Sequence, residues 1–558
     1  MKRKRLLCPF LALLMLFSTS KLLTLAGEYT AAVYEHKTFF ETGYHTRSQA
    51  LRGMQKNLEV FQSVSRLAKE KGADIIVFPE DGIYGFLFEN RDEIFNYLED
   101  IPDPSSIKKK WNPCTEPDRF PNTEVLKQLS CIARNSSIAL VANMGDVKFC
   151  KKSDPHCPHD GRYQYNTDVA FDTDGTLLAR YHKQHLFSKY EPQFNSPLKA
   201  ERVTFNTSFG VTFGVFTCFD IIFYDPAMAL VEKLGIRNIV FTTAWVDGLP
   251  TLTSIGFQQA WSRATSVNLL ASNQHNPSKA MTGSGIYSKG DPLQYVYDET
   301  SSKKHLLVTR VQDKDSQLEI NQEQPKEATL YDCQIQETFT STVRRDSYTF
   351  SKLSGANGNV CVCSNDLCCQ ANYSTVSEKA FETEMFAFGA FSGHHKKKTG
   401  YYIQACILIK CDNMEKQSCG TVLNTRSSTL FKKLSIAGNF SSKTYVFPEV
   451  LLSNMLLTAG NETKYFGNKL VADELDRPLF SAILFGRTFA LDPPIGHRVA
   501  STMTSAKHED SSLVIGVSVA VGVIGLIAII LVIYYRENIK STCFHSIQRV
   551  KRDGYSTV

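Results

Sequence analysis

Three short runs of this chain end in side chains that together can cleave an amide. Gly214-Val215-Phe216-Thr217 is an apolar strand pattern that delivers Cys218, and the polar turn Phe219-Asp220 follows it. Asp74-Ile75-Ile76-Val77-Phe78-Pro79 is a buried-strand pattern ending in Glu80, and Leu177-Leu178-Ala179-Arg180-Tyr181-His182 leads into Lys183. A thiol is mostly protonated near neutral pH, and a neighbouring ammonium favours the attacking thiolate. The attack puts negative charge on the carbonyl oxygen. Lys183 and the backbone N–H of Phe219 are the candidates to hold it, and loss of one such donor typically costs about 10² in rate. The leaving amine needs a proton and the incoming water must lose one, two tasks that suit a single carboxylate, Glu80. Each residue alone has a plainer reading: a half-cystine, a helix-capping acid, a lysine on a solvated loop beside His182 and His185. Their common placement just past strands favours the chemical one. Asp220 is read as fixing the turn after the cysteine.

Strand-like runs alternate with helix-like stretches from Tyr29 to about Val311. The strands are Tyr29–Tyr34, Ile75–Phe78, Ile138–Ala142, Thr167–Phe171, Thr212–Thr217, Asn238–Phe241 and Leu269–Ser272; the helices are Ala50–Glu70, Pro226–Leu234 and Ser254–Asn268. This alternation predicts α/β layers. Gln312–Ala328 is mostly polar, as in a linker. Beyond it, short strands with Gly, Ser and Asn turns predict a β-rich second domain. No internal repeat of useful period is evident. With 558 residues the chain is too long for one ordinary core.

Lys2 to Arg5 form a basic start, Leu6 to Phe17 an apolar stretch, and Thr24-Leu25-Ala26 a small-residue cut site, so 1–27 reads as a secretory signal. Leu513 to Tyr535 is apolar apart from Ser518 and long enough to span a bilayer. Five basic residues from Arg536 onward place that end in the cytoplasm, giving a type I single-pass protein. A glycolipid-anchor signal would end with its apolar tail, whereas a polar segment follows here. The expected organisation is therefore 1–27 signal, 28–315 α/β domain, 316–492 β-rich domain, 493–512 stalk, 513–535 membrane helix and 536–558 tail. The net charge of +6 comes from the ends. The segment before Glu28 has five basic residues and no acids, and the tail has five against two acids, leaving −2 between them. Such an ectodomain has no electrostatic reason to bind nucleic acid.

Of fifteen cysteines, Cys8 belongs to the signal, Cys543 to the tail, where palmitoylation is a weak alternative, and Cys218 is set aside as nucleophile. The remaining twelve point to bridges in an extracytoplasmic protein, in pairings the count does not fix. Sequons at Asn135, Asn206, Asn372, Asn439 and Asn461 agree with that location. The C-terminal Ser556-Thr557-Val558 suits strand addition to a PDZ-type groove, although a tail that ends this way by chance is the favoured reading.

The runs VFPEDGIYGF, ARYHKQHLF and FGVFTCFDIIFYDPA resemble the nitrilase superfamily of carbon–nitrogen hydrolases. YTAAVYEH, DGRYQYNTDV, MTGSGIY and CSNDLCC extend the likeness from about Thr30 to Arg487 and point to the vanin and biotinidase branch. The resemblance implies an αββα sandwich, a triad of Glu80, Lys183 and Cys218, a thioester intermediate, and no metal or organic cofactor. It further implies Glu191 as a supporting carboxylate, with a solvated loop Glu equally open, and Tyr165, Asn166 and Trp245 as pocket residues. Near the triad the sequence leans to the vanins, implying hydrolysis of the terminal amide of pantetheine, a small-molecule substrate. Cleavage of biocytin or biotinyl amides is the runner-up. A catalytically silent adhesion or receptor ectodomain is the non-enzyme alternative, whose signature would be a missing triad member; all three are present. Glycolipid anchorage or secretion are the family's alternatives to a spanning helix. The family's second-domain cysteines correspond to Cys363, Cys368, Cys369, Cys406, Cys411 and Cys419. The extra pair, Cys333 and Cys361, is expected to bridge and tie a loop; disulfide mapping by mass spectrometry that finds either as a free thiol contradicts this.

Overall fold

The computed structural model describes residues 27–187, 191–300, 305–313, 337–396, 400–421 and 424–493. The leader up to residue 26, the polar linker 314–336 with Cys333, and nearly all of the stalk, the apolar segment 513–535 and the tail lie outside these residues. Among the described residues no helix is long and apolar enough to cross a membrane.

The first part alternates β1 (Glu28–Glu35), α1 (Arg47–Glu70), β2 (Ile75–Val77), α2 (Glu124–Ser136) and β3 (Ala139–Phe149), then adds β4 (Arg162–Phe171) and β5 (Leu177–His182). After β6 (Thr204–Asn206) the scheme recurs: β7 (Thr212–Thr217), α3 (Ala229–Leu234), β8 (Asn238–Thr242), α4 (Ser254–Thr265), β9 (Asn268–Ser272), β10 (Ser284–Ser288) and β11 (Asp291–Val296), with β12 (His305–Gln312) returning to β1. The two six-stranded sheets have orders β12-β1-β2-β3-β4-β5 and β6-β7-β8-β9-β10-β11. In each, three central strands are parallel and the outer ones antiparallel. The fold thus contains a repeat of topology that no period in the sequence shows.

Period-two alternation along the strands decides the layering. Val33, Ile75, Val77 and Val141 share a core with Val215, Val240 and Leu270 of the second sheet. The intervening Ala32, Tyr34, Ile76, Phe78 and Leu140 pack instead against Met54, Leu58 and Phe61 of α1 and Leu126 and Leu129 of α2. Helix α1 is capped reciprocally by Thr46 and Gln49, and Phe61 stacks on Phe78 with ring centres 3.8 Å apart. Leu67 of this helix is exposed, whereas polar Asn57 is buried. Its amide donates to the carbonyls of Phe39 and Ile83 at 2.7 and 2.8 Å, which pins the segment after Glu80.

The second part, Phe339 to Arg487, forms a seven-stranded and a five-stranded sheet, all antiparallel. The Cys369–Cys406 disulfide joins one sheet to the other. Cys363–Cys368 and Cys411–Cys419 lie in the same part, Cys114–Cys131 and Cys150–Cys157 in the first. Cys361 is also disulfide-bonded, and its expected partner lies outside the described residues. All five sequon asparagines are exposed.

The β-rich part covers one face of α4 and buries Gln259, while Gln258 is buried against Gly283 and Tyr287 of the first part. Phe257 meets Phe447 and Phe485 at 5.6 Å each, and Gln259 Nε2 donates to the Thr458 carbonyl at 2.8 Å. Arg487, at the end of the last strand (Leu479–Arg487), is fully buried. Its Nε donates to the Ile222 carbonyl at 2.8 Å, in the turn that begins with Cys218, and its Nη2 to Asp492 Oδ2 at 2.7 Å. The guanidinium also lies over Tyr401 and Phe489, 4.8 Å from each ring centre. Removing one partner of a buried ion pair leaves the other uncompensated. Arg487→Met is therefore expected to lower stability by about 3–5 kcal/mol, measured as a drop in the urea midpoint.

Candidate active site

Glu80 follows β2 and is buried. Its Oε1 accepts from Lys183 Nζ at 2.6 Å and from Asn166 Nδ2 at 2.8 Å, and its Oε2 accepts the Ala244 N–H at 2.8 Å. Ala244 lies just past β8, the strand of the second sheet that corresponds to β2, so this bond joins equivalent points of the two sheets. The Glu80 carbonyl accepts from Gln274 Nε2 at 2.7 Å.

Lys183 follows β5 and is 1 % exposed. Besides Glu80 it donates to Glu191 Oε2 at 2.7 Å. Glu191 is thus a buried partner of the ammonium and not a solvated loop acid. The Asn166 amide donates to both carboxylates, reaching Glu191 Oε1 at 2.9 Å, and its own oxygen accepts from Asn143 Nδ2 at 2.6 Å. Burial works against the Lys183 charge, but Glu191 and Glu80 outweigh it and hold the ammonium pKa well above its ordinary value.

Cys218 closes β7 and is the free cysteine among the described residues, 7 % exposed. It adopts a left-handed φ of 46°, a strained backbone for a non-glycine residue. Asp220 braces that turn. Its Oδ2 accepts from Tyr181 Oη at 2.6 Å and the Thr217 N–H at 3.2 Å, and its Oδ1 accepts the His185 N–H at 2.8 Å. Burial pushes the Cys218 thiol pKa well up and Glu80 adds to this, while Lys183 and Thr243 pull partly the other way. The Cys218 side chain therefore rests as a neutral thiol. Asp81, also left-handed with φ 56°, has its carboxyl raised by burial and by the charges of Glu80 and Glu191.

The structure brings Glu80, Lys183, Cys218, Glu191 and Asn166 together. Trp245 is adjacent: its N–H donates to Asn273 Oδ1 and its Nε1 to the Leu252 carbonyl, at 2.8 and 2.9 Å. Tyr165 is elsewhere, stacked on His182 at 4.1 Å and on Tyr163 at 5.9 Å, because neighbours in a strand point to opposite faces and Asn166 takes the inner one. The Phe219 ring packs on Phe187 and Phe223 at 5.2 and 5.1 Å, leaving its backbone beside the sulfur-bearing residue. Sequence reasoning missed Asn143, Asp168, Thr243, the Ala244 N–H and Gln274. Asp168, in the run NTD, sits beneath the site and accepts from Thr217 Oγ1 at 2.7 Å, Thr242 Oγ1 at 2.8 Å and Asn143 Nδ2 at 2.9 Å.

The carbon–nitrogen hydrolase family model matches residues 49–256, and the vanin C-terminal domain model matches 337–492. The chain is 44% identical to a pantetheinase from Sus scrofa over 472 residues, covering 84% of this chain and 90% of that protein. It is 38% identical to a biotinidase from Bos taurus over 509 residues, covering 84% and 93%. Among solved structures, an amidase from Nesterenkonia sp. aligns with a TM-score of 0.37 at 19% identity, covering 53% of this chain and 94% of that one.

Burial pushes the Asp168 carboxyl up to about 7 from its ordinary 3.8. The folded state then binds this proton more tightly than the unfolded chain. The resulting stability is complete below the unfolded pKa and is lost as pH rises toward about 7, by at most about 1.4 kcal/mol per pH unit. Thermal melts should therefore show the advantage of wild type over Asp168→Asn shrinking as pH rises through that window.

Proposed function

This chain belongs to the pantetheinase and biotinidase family of carbon–nitrogen hydrolases, and we propose that it hydrolyses the terminal amide of pantetheine to pantothenate and cysteamine through a thioester on Cys218. The observation that carries this reading is the Lys183 ammonium, bonded to Glu80 and Glu191 at 2.6 and 2.7 Å, with an unpaired thiol facing the three.

In the acylation step, Glu80 takes the Cys218 proton and the sulfur attacks the amide carbon. The carbonyl electron pair moves to oxygen, where the Lys183 ammonium and the Phe219 N–H receive the charge. Two of the three ammonium protons are engaged by the carboxylates, which leaves one for the oxyanion. Glu80 then passes its proton to the departing cysteamine nitrogen as the C–N bond breaks. In the second half, water gives a proton to Glu80 and attacks the thioester. The C–S bond breaks, pantothenate leaves and the thiol regains its proton. Glu191 and Asn166 act as positioning residues that hold Lys183 and Glu80. Trp245 borders the substrate pocket.

Pantetheine is preferred to biotinyl amides because identity is higher with the pantetheinase than with the biotinidase at similar coverage. The basic and apolar leader, the sequons and the apolar segment 513–535 support an extracytoplasmic, glycosylated enzyme held by one C-terminal helix.

Cys218→Ala, Lys183→Ala and Glu80→Gln are each expected to lower kcat for pantetheine by more than about 10³-fold while the protein still folds. Retained hydrolysis by Cys218→Ala would refute the mechanism. Pantetheine and biocytin assayed side by side should give the higher kcat/KM with pantetheine; the reverse order makes the enzyme a biotinidase.

A further inference from the structure

Thr243 lies one residue past β8. In the parallel pair β7/β8, Thr217 is in register with Thr242, so the next residues, Cys218 and Thr243, are neighbours at the carboxyl ends of adjacent strands. Several neighbouring polar groups are engaged. The Thr242 hydroxyl donates to Asp168, the Ala244 N–H to Glu80, and the Thr243 N–H to the Ser272 carbonyl at 2.9 Å, while the Thr243 carbonyl accepts from Gln274 at 3.2 Å. The Thr243 hydroxyl is the exception. It is fully buried and has no oxygen or nitrogen partner among the described groups; the Cys218 sulfur beside it is the one group on which it acts. A buried hydroxyl without a partner is costly, so a native structure that keeps one calls for a reason.

The reason lies beside it. The charged groups that face the Cys218 sulfur are Glu80 after β2, Lys183 after β5 and Glu191 in the loop that follows; Thr243 is the uncharged one. Asp168 and Asp220 lie beneath, occupied with Thr217, Thr242 and Tyr181. Both glutamates oppose negative charge on the sulfur. Lys183 donates to both glutamates and has its remaining proton for the substrate oxygen. Among these groups, the Thr243 O–H is the donor with no other acceptor.

We infer that Thr243 is a fourth catalytic residue, whose hydroxyl donates a hydrogen bond to the Cys218 sulfur whenever that sulfur carries negative charge. This deepens the proposed mechanism and rests on Cys218 as its nucleophile. Thr243 gives up no proton. The thiol proton goes to Glu80, the sulfur pair forms the S–C bond as the C=O pair moves to oxygen, and the hydrogen bond is released. When water later breaks the C–S bond, the electron pair returns to sulfur under the same hydroxyl until Glu80 returns the proton.

The test compares wild type, Thr243→Val, which keeps the shape, and Thr243→Ser, which keeps the hydroxyl. Iodoacetamide alkylation of Cys218, followed by mass spectrometry against pH, reads the sulfur without any substrate. In Thr243→Val the alkylation midpoint should rise by about one pH unit. Its kcat for pantetheine should fall about 10- to 100-fold, with KM changed less than about twofold and the melting temperature near that of wild type. Thr243→Ser should restore most of both. A wild-type alkylation profile and kcat in Thr243→Val overturn the inference for Thr243 alone. Undiminished hydrolysis in Cys218→Ala overturns the nucleophile assignment, and with it this inference.

Discussion

A single ammonium buried between two carboxylates is the constraint around which the site is arranged. An isolated lysine at such burial would shed its proton, and two bare carboxylates at this distance would repel each other. Together, Glu80, Lys183 and Glu191 are mutually satisfied, and Asn166 ties the two acids from the other side. Burial keeps the neighbouring thiol neutral, and the excess negative charge of the cluster adds to this. In the proposed attack the thiol proton passes to Glu80, and no net charge is created in the buried pocket. Negative charge moves from one oxygen to one sulfur, and the cation stays in place to meet it at the carbonyl oxygen.

The topology makes this convergence possible. In layered α/β folds, ligands bind outside the carboxyl ends of parallel strands, and here the two sheets bring such ends face to face. The first sheet contributes Glu80 and Lys183, the second Cys218 and the segment Thr243–Ala244. The bond from the Ala244 N–H to Glu80 crosses between the halves of the topological repeat, so the Glu80 carboxylate is fixed by both sheets. Asp220 and Asp168 repeat the device one layer down, each a buried acid that collects donors from several strands.

Strand-ending residues were the legible part of the sequence. Thr212–Thr217 is a strand with the bounds its pattern gives, and Glu80, Lys183 and Cys218 all sit where an apolar run stops. What depends on register was not legible. Asn143 and Asn166 meet because β3 and β4 pair with a particular offset, and nothing in either run states it. Thr243 is one of two adjacent threonines, and only the pairing of β7 with β8 separates their roles. The duplication was hidden because the two halves share strand order and not residues. Helix α4 starts at Ser254 as its pattern gives but ends at Thr265, and its Gln259 is buried against Thr458 of a separate β-rich part that no pattern within the helix states. The cysteine count announced bridges, but Cys369–Cys406 joins positions that only the stacked sheets bring together.

Arg487 has a consequence for the order in which the protein is made. A chain leaves the ribosome amino end first, so the Ile222 carbonyl has no guanidinium to receive it until some 265 further residues have been added. Until then the turn that begins at Cys218 lacks its brace from the β-rich part, even with both six-stranded sheets complete. A nascent chain halted short of its last strand therefore lacks this tie between the Cys218 turn and the β-rich part.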